Sequence, residues 1–376
     1  MNPVRGAARP YRRFSFFRAL FLISLASALV GPLQAQAAGP WRVEELAPGV
    51  HASLSVPPYP PSLYSNSLII VGERSVLVVD TREVPEAGDD LVRAVSEITD
   101  LPIQYVVNSH WHWDHVNGNQ SVRAVFPGVS FVMHPETDRL LLEEGPGRIL
   151  QRATGLRDRL EATRERLAAD AENERPADER MTREEMLQRI ARDSARAEAF
   201  ESVTPIGADE FVEGRWSPPG FEDRVELIHT GLGHTPGDLA VWLPAERILF
   251  VGDLIEDGFP FTGDGSVSGT ARALEQLMAF GAVAIVPGHG SIDGPETLFE
   301  PQRRMLGKVA ELVCASLGGE GLEAEGAFEV MERTVREASA DYRSTTATDM
   351  DDAAYARGLE TLVKQAWEEA PQACAP

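Results

Sequence analysis

The chain has 376 residues, 43% of them hydrophobic and 25% charged, and a formal charge of −23 at pH 7. Length and apolar content together allow a large folded core. So acidic a balance excludes nucleic acid as a partner, since that needs clustered basic residues, and it says little about fold.

Residues 1–37 read as an export signal. Arg5, Arg9, Arg12, Arg13 and Arg18 lead into the apolar stretch Ala19–Val30, and Ala35-Gln36-Ala37 supplies small residues for cleavage. The apolar stretch is too short to cross a bilayer. A periplasmic or secreted protein is expected, without stable membrane insertion after cleavage, the alternative being an uncleaved anchor. The two cysteines, Cys314 and Cys374, lie away from every ligand-type motif. An oxidising compartment would permit a disulfide between them, but spacing does not show whether they meet.

From Leu68 to Met133 the pattern predicts strand, strand, helix, strand, polar loop, helix and strand. Asp80 ends the apolar run Ser75–Val79. It is read either as an acceptor for a ligand imidazole or as a turn cap with Thr81. The loop is His110-Trp111-His112-Trp113-Asp114-His115, which holds three of the chain's 8 histidines. His110 and His112 sit two apart and share one side of an extended segment. If the chain then turns, Asp114 and His115 face the same point. Imidazole and carboxylate together suit a borderline ion such as zinc. Trp111 and Trp113 either line a pocket or pack. His51, His134 and His229 read as ordinary histidines, with His134 marking a strand-to-helix junction before Pro135.

Residues 137–203 are rich in Arg, Glu and Ala with apolar punctuation, which predicts a helical insertion. Thr182-Arg183-Glu184-Glu185 fits a capping box, and Pro176 separates two helices. Such a hairpin would lean over a site as a lid, form a homodimer contact, or stand as a solvated appendage. Beyond it, three apolar runs end in Gly-flanked ligand-type residues: His234 in Gly233–Asp238, Asp253 after Ile248–Gly252, and His289 in Pro287–Gly290. Strands that deliver side chains to one sheet edge look like this. Thr235 and Asp238 are read as fixing the His234 loop. Phe259 and Phe261, in a loop after Asp253, either meet substrate or pack. Helices are predicted over 266–280, 300–317, 327–339 and 351–367.

These motifs resemble the metallo-β-lactamase superfamily over roughly Leu46 to Asp293. The resemblance implies an αββα sandwich, two mixed sheets face to face with helices outside, as a catalytic domain over 38–300 followed by a helical region over 301–376. It also implies two zinc ions. His110, His112 and His234 would hold one, Asp114, His115 and His289 the other, and Asp253 would bridge them. Manganese or iron stays open, because ligand spacing alone does not fix the metal. The chemistry expected is hydrolysis of a small molecule by a metal-bridging hydroxide, which two divalent ions can generate near neutral pH. Asp114 would orient that nucleophile. An ester, thioester, lactone or related bond is the expected target, with a β-lactam as the alternative. One subclass of zinc β-lactamases places Cys where this chain has Asp253. Two readings of other classes are a mononuclear iron dioxygenase of the persulfide type and a non-catalytic zinc-binding module.

Overall fold

The computed structural model describes residues 41–55, 64–170, 182–256, 259–317, 342 and 352–374. The expected export signal, Pro176 and the expected 327–339 helix lie outside the described residues. Two sheets form the centre. The first has seven strands in sequence order: β1 (Trp41–Ala47), β2 (Val50–Ser55), β3 (Ser67–Val71), β4 (Val76–Val79), β5 (Ile103–Val107), β6 (Ser130–Met133) and β7 (Glu210–Phe211). The second is ordered β12 (Ala284–Pro287), β11 (Ile248–Gly252), β10 (Leu239–Leu243), β9 (Glu226–His229), β8 (Arg215–Trp216). Strands β4, β5 and β6 pair parallel, as do β11 and β12, and the first four strands run antiparallel.

Period-two alternation sorts side chains into layers. Leu68, Ile70, Leu77, Val79 and Val107 of the first sheet meet Leu227, Leu239, Val241, Phe250 and Val286 of the second in a central core. The intervening residues Ile69, Val76, Val78 and Val106 face outward onto helix α1 (Pro85–Ile98), through Leu91 and Val95, and α3 (Asn119–Val125), through Val122. On the far side, Ala240, Trp242, Leu249 and Ile285 face α7 (Val267–Met278), α8 (Pro295–Leu317) and α9 (Asp352–Ala373). The layers are therefore helix, sheet, sheet, helix, with the C-terminal helices on the sandwich. A disulfide between Cys314 and Cys374 joins α8 to α9.

The inserted helices are α4 (Pro135–Glu143), α5 (Gly145–Asp170) and α6 (Arg183–Glu201). The capping box is present: Thr182 Oγ1 accepts from Glu185 N, and Glu185 accepts from Thr182 N. Helices α5 and α6 enclose a small core of Ile149, Ala153, Leu156, Ala197 and Phe200 against Val84 and Trp41. That apolar seam explains why so polar a segment folds back on the sandwich.

Candidate metal centre

The residues expected to bind metal leave their strands at one end of the two sheets. Asp80 follows β4, His110 follows β5 by three residues, Asp253 follows β11, and His289 follows β12 by two. The short helix α2 (Trp113–Val116) turns the chain after His112, so that Asp114 and His115 face the histidines before them. His234 comes from the loop between β9 and β10. All seven expected ligands converge. His110, His112, His234 and Asp253 form one group whose ligand atoms lie within 4.8 Å of one another, and Asp114, His115 and His289 form a second. Asp253 stands between them: its Oδ2 lies 3.6 Å from His110 Nε2 and 3.4 Å from His289 Nε2, and its Oδ1 lies 3.2 Å from His115 Nε2.

Hydrogen bonds behind the rings fix their tautomers. Asp80 accepts from Ser109 N, Ser109 Oγ and His115 Nδ1, each at 2.7 Å. Of the two readings of Asp80, the structure shows the imidazole acceptor. Because Ser109 Oγ donates to Asp80, it accepts from His110 Nδ1, 3.0 Å away. His234 Nδ1 donates to the Phe261 carbonyl at 2.8 Å, and His112 Nε2 meets Asp264 Oδ2 at 3.0 Å. A carbonyl and a carboxylate only accept. The remaining nitrogens of three rings, His110 Nε2, His112 Nδ1 and His234 Nε2, therefore present lone pairs to the centre. His234 Nε2 and His112 Nδ1 lie 2.9 Å apart, and His110 Nε2 is buried with no hydrogen-bond partner. Lone pairs so placed repel unless a cation lies among them.

Charge points the same way. Burial pulls the His110 pKa well down and brings that of His234 to about 4, aided by His112, so both are neutral, the form that binds metal. Burial would also lower His115 and His289, but Asp253 drives both up, with Asp80 and Asp114 at His115 and Asp114 at His289. Burial would raise Asp114, yet His115 and His289 bring it to about 2. The buried carboxylates thus draw in positive charge.

Supporting residues hold the loops. Asn66 donates to the carbonyls of Pro287 and Gly290, both at 2.9 Å, and clamps the His289 turn to the first sheet. Thr235 donates through N and Oγ1 to Asp238, as expected of that loop. Phe261 and Phe259 divide their two readings. Phe261 is exposed beside His112 and His234, whereas Phe259 packs on Tyr342 and Tyr355. Trp111 and Trp113 do both: each lines a cavity of about 450 Å³ over the ligands, and Trp113 packs on Phe200. Helix α5 walls that cavity. Sequence reasoning missed Asp264 and Glu256, which sit on the His112 and His234 rings, although the loop carrying Asp264 was singled out. It also missed the cavity arginines of α5.

Comparisons with known proteins agree. A family model described as the metallo-beta-lactamase superfamily matches residues 61–289. A 93-residue segment is 30% identical to a metallo-beta-lactamase type 2 of Bacteroides fragilis, covering 23% of this chain and 37% of that protein. An 81-residue segment is 31% identical to one of Pseudomonas aeruginosa, covering 21% and 33%. The matches span about a third of those relatives' length. The crystal structure of the metallo-beta-lactamase FIM-1 from Pseudomonas aeruginosa in its mono-zinc form aligns with a TM-score of 0.50 at 19% identity, over 72% of this chain and 96% of that one. VMB-1 aligns with a TM-score of 0.50 at 16% identity, over 72% and 98%. Both likenesses are of fold. With its matching domain, sandwich and His/Asp groups, the chain belongs to the metallo-β-lactamase superfamily. Within it, the fold and the metal-binding groups are those of a metal-dependent hydrolase.

Proposed function

We propose that this protein is an exported hydrolase that holds two zinc ions and opens an ester, thioester, lactone or related bond in a small molecule. The observation that carries this reading is the pair of adjoining ligand groups, with imidazole lone pairs turned inward and Asp253 between them. These residues fit the ions. His110, His112 and His234 would hold one, Asp114, His115 and His289 the other, with Asp253 touching both. When bound, such ions acidify a water to a pKa of about 7 and polarise the substrate's carbonyl oxygen.

The chain's own residues do the rest. Asp114, ionised and buried at the cavity floor, orients the attacking water. Trp111, Trp113 and Phe261 wall the cavity and exclude bulk water from the reacting bond. The disulfide between Cys314 and Cys374 supports export to an oxidising compartment, together with the basic and then apolar N-terminal sequence.

A β-lactam is the second reading, favoured by the names of the two relatives above. Asp253, standing where one lactamase subclass resembling this chain has Cys, weighs against it.

The test is metal analysis of the purified protein beside an ester, thioester, lactone and β-lactam panel, with Asp114→Ala in parallel. About two zinc ions per chain and turnover lost in the variant are expected. One iron per chain, or two zinc ions with every bond untouched, would overturn the reading.

A further inference from the structure

Helix α5 turns Arg148, Arg152 and Arg159 toward the cavity over the ligand groups. Spacings of four and seven residues keep them on one helix face. Their surroundings differ. Arg148 donates to Asp264 Oδ1 at 2.8 Å, and Arg159 stands exposed. Arg152 is half-buried, with its guanidinium carbon 4.2 Å from the centre of the Trp113 ring. Among the described residues no carboxylate or carbonyl lies within hydrogen-bonding distance of it. Nearby Arg157, by contrast, pairs with Glu201 through two hydrogen bonds.

A cation even partly withdrawn from water without a partner anion loses solvation that no ion pair returns. Like charge adds to the cost. Burial first, then Arg196 and Arg159, pull the Arg152 pKa down, and only Asp114 supports its charge. Asp114 is itself engaged by His289 at 3.1 Å. The aromatic face of Trp113 offsets part of the penalty but supplies no acceptor for the guanidinium N–H groups.

We propose that Arg152 is the substrate's anion-binding residue, and that the substrate is an acyl compound carrying one carboxylate and an apolar body. This rests on the hydrolase reading above. A carboxylate suits the site because its two oxygens match the planar guanidinium fork. One negative charge balances the one half-buried cavity arginine without an ion pair, since Arg148 is committed to Asp264 and Arg159 is exposed to water. The apolar body would lie against Trp113 and Phe261, which flank the ligand groups. Held at both ends, the reacting carbonyl is fixed over Asp114 and Asp253, which is how a clamp outside the reacting bond raises rate.

Phenylacetate and phenylacetamide, alike in shape but not in charge, are the probes. Their affinities for the purified zinc-loaded protein are read by calorimetry and by tryptophan fluorescence. The wild-type protein is expected to prefer phenylacetate. Arg152→Met keeps the aliphatic stem on Trp113, and the preference should fall at least ten-fold in it. Arg152→Lys should restore part of the preference, as it returns the charge without the fork. If Arg152→Met fails to fold, Arg152→Lys carries the test, with a drop of at least three-fold expected. A preference unchanged by either folded variant would place the carboxylate elsewhere, on the metals for instance, and overturn the proposal. So would no preference in the wild type. Turnover of the ester and lactone panel is read separately. Its absence beside an Arg152-dependent preference would sink the hydrolase reading while the anion site stands.

Discussion

Asp80 does more for the site than its place outside the ligand groups suggests. It is fully buried, its backbone is left-handed at φ 59°, and it orients His115 directly and His110 through Ser109. Asp80→Ala should orphan three buried donors, at a cost of about 1–3 kcal/mol. It should also lower zinc affinity by about 10–100-fold. A chelator competition and a denaturant melt check both. Unchanged affinity in a folded variant would mean that the rings orient without it. Asp80→Asn should be milder, since Asn tolerates a positive φ and keeps one acceptor. A second residue-scale expectation concerns acid. The rings of His134 and His229 stack at 3.9 Å, and His134 Nδ1 accepts from Glu136 N at 3.1 Å. Burial and His229 bring the His134 pKa down to about 4 from 6.5. A depressed folded pKa means that the proton favours the unfolded chain. The stabilisation is therefore full above pH 6.5 and is lost as pH falls toward 4. Solvent screening of this half-exposed ring holds the loss to about 1 kcal/mol. Urea midpoints at pH 7 and pH 4.5 should differ less in His134→Asn, which keeps a capping side chain. Equal slopes in both proteins would assign the acid sensitivity to other groups.

Elements were legible where local chemistry alone decides them. Strands that end in Gly-flanked ligands were readable because a glycine there has a physical purpose. Gly288 is the clearest case: a Cβ on it would run into Asp253 Oδ1, so only glycine lets β12 and β11 end side by side. Gly288→Ala should push Asp253 away from both groups and reduce bound metal below two per chain. Elemental analysis of the folded variant decides, and full occupancy would show that the turn can give way. The capping box and the helical insertion were readable for the same local reasons. The hairpin β1–β2 was not. Strand β1 is an edge whose residues Arg42, Glu44 and Glu45 stay wholly or partly exposed, so no alternation marks it. Strands β7 and β8 are two residues each and owe their form to their neighbours. Asp264 and Arg152 escaped for a different reason. A loop acid and a helix arginine read as solvated until the fold brings one to His112 and the other over Trp113. For Asp80, a strand-end Asp before Thr suited both of its readings, and only the distance to His115 separated them.

At the scale of the whole molecule, the C-terminal helix is tied to the metal centre through one loop. Gln365 of α9 accepts from Thr262 Oγ1 at 2.5 Å, and Glu369 accepts from Ser266 Oγ at 2.6 Å and Val267 N at 2.7 Å. Between β11 and α7, the loop so held carries the Phe261 carbonyl onto His234 and the Asp264 carboxylate onto His112. The disulfide between Cys314 and Cys374, 60 residues apart, fastens the far end of α9 to α8. By loop entropy such a closure stabilises by about 4 kcal/mol, an upper figure because unfolded chains retain structure. Reduction, or Cys314→Ser with Cys374→Ser, should therefore lower the denaturant midpoint clearly. The fold adds a sharper expectation. Freeing α9 loosens the residues behind His112 and His234 but leaves Asp80 and Asn66, which hold His115 and the His289 turn, on the first sheet. Metal should then leave the His110, His112 and His234 group first and faster, while the Asp114, His115 and His289 group keeps its rate. Stopped-flow release into a chelator, followed in oxidised and reduced protein, separates the two phases. If both phases quicken equally, the disulfide acts on global stability alone and the path through Gln365 and Glu369 carries nothing to the site.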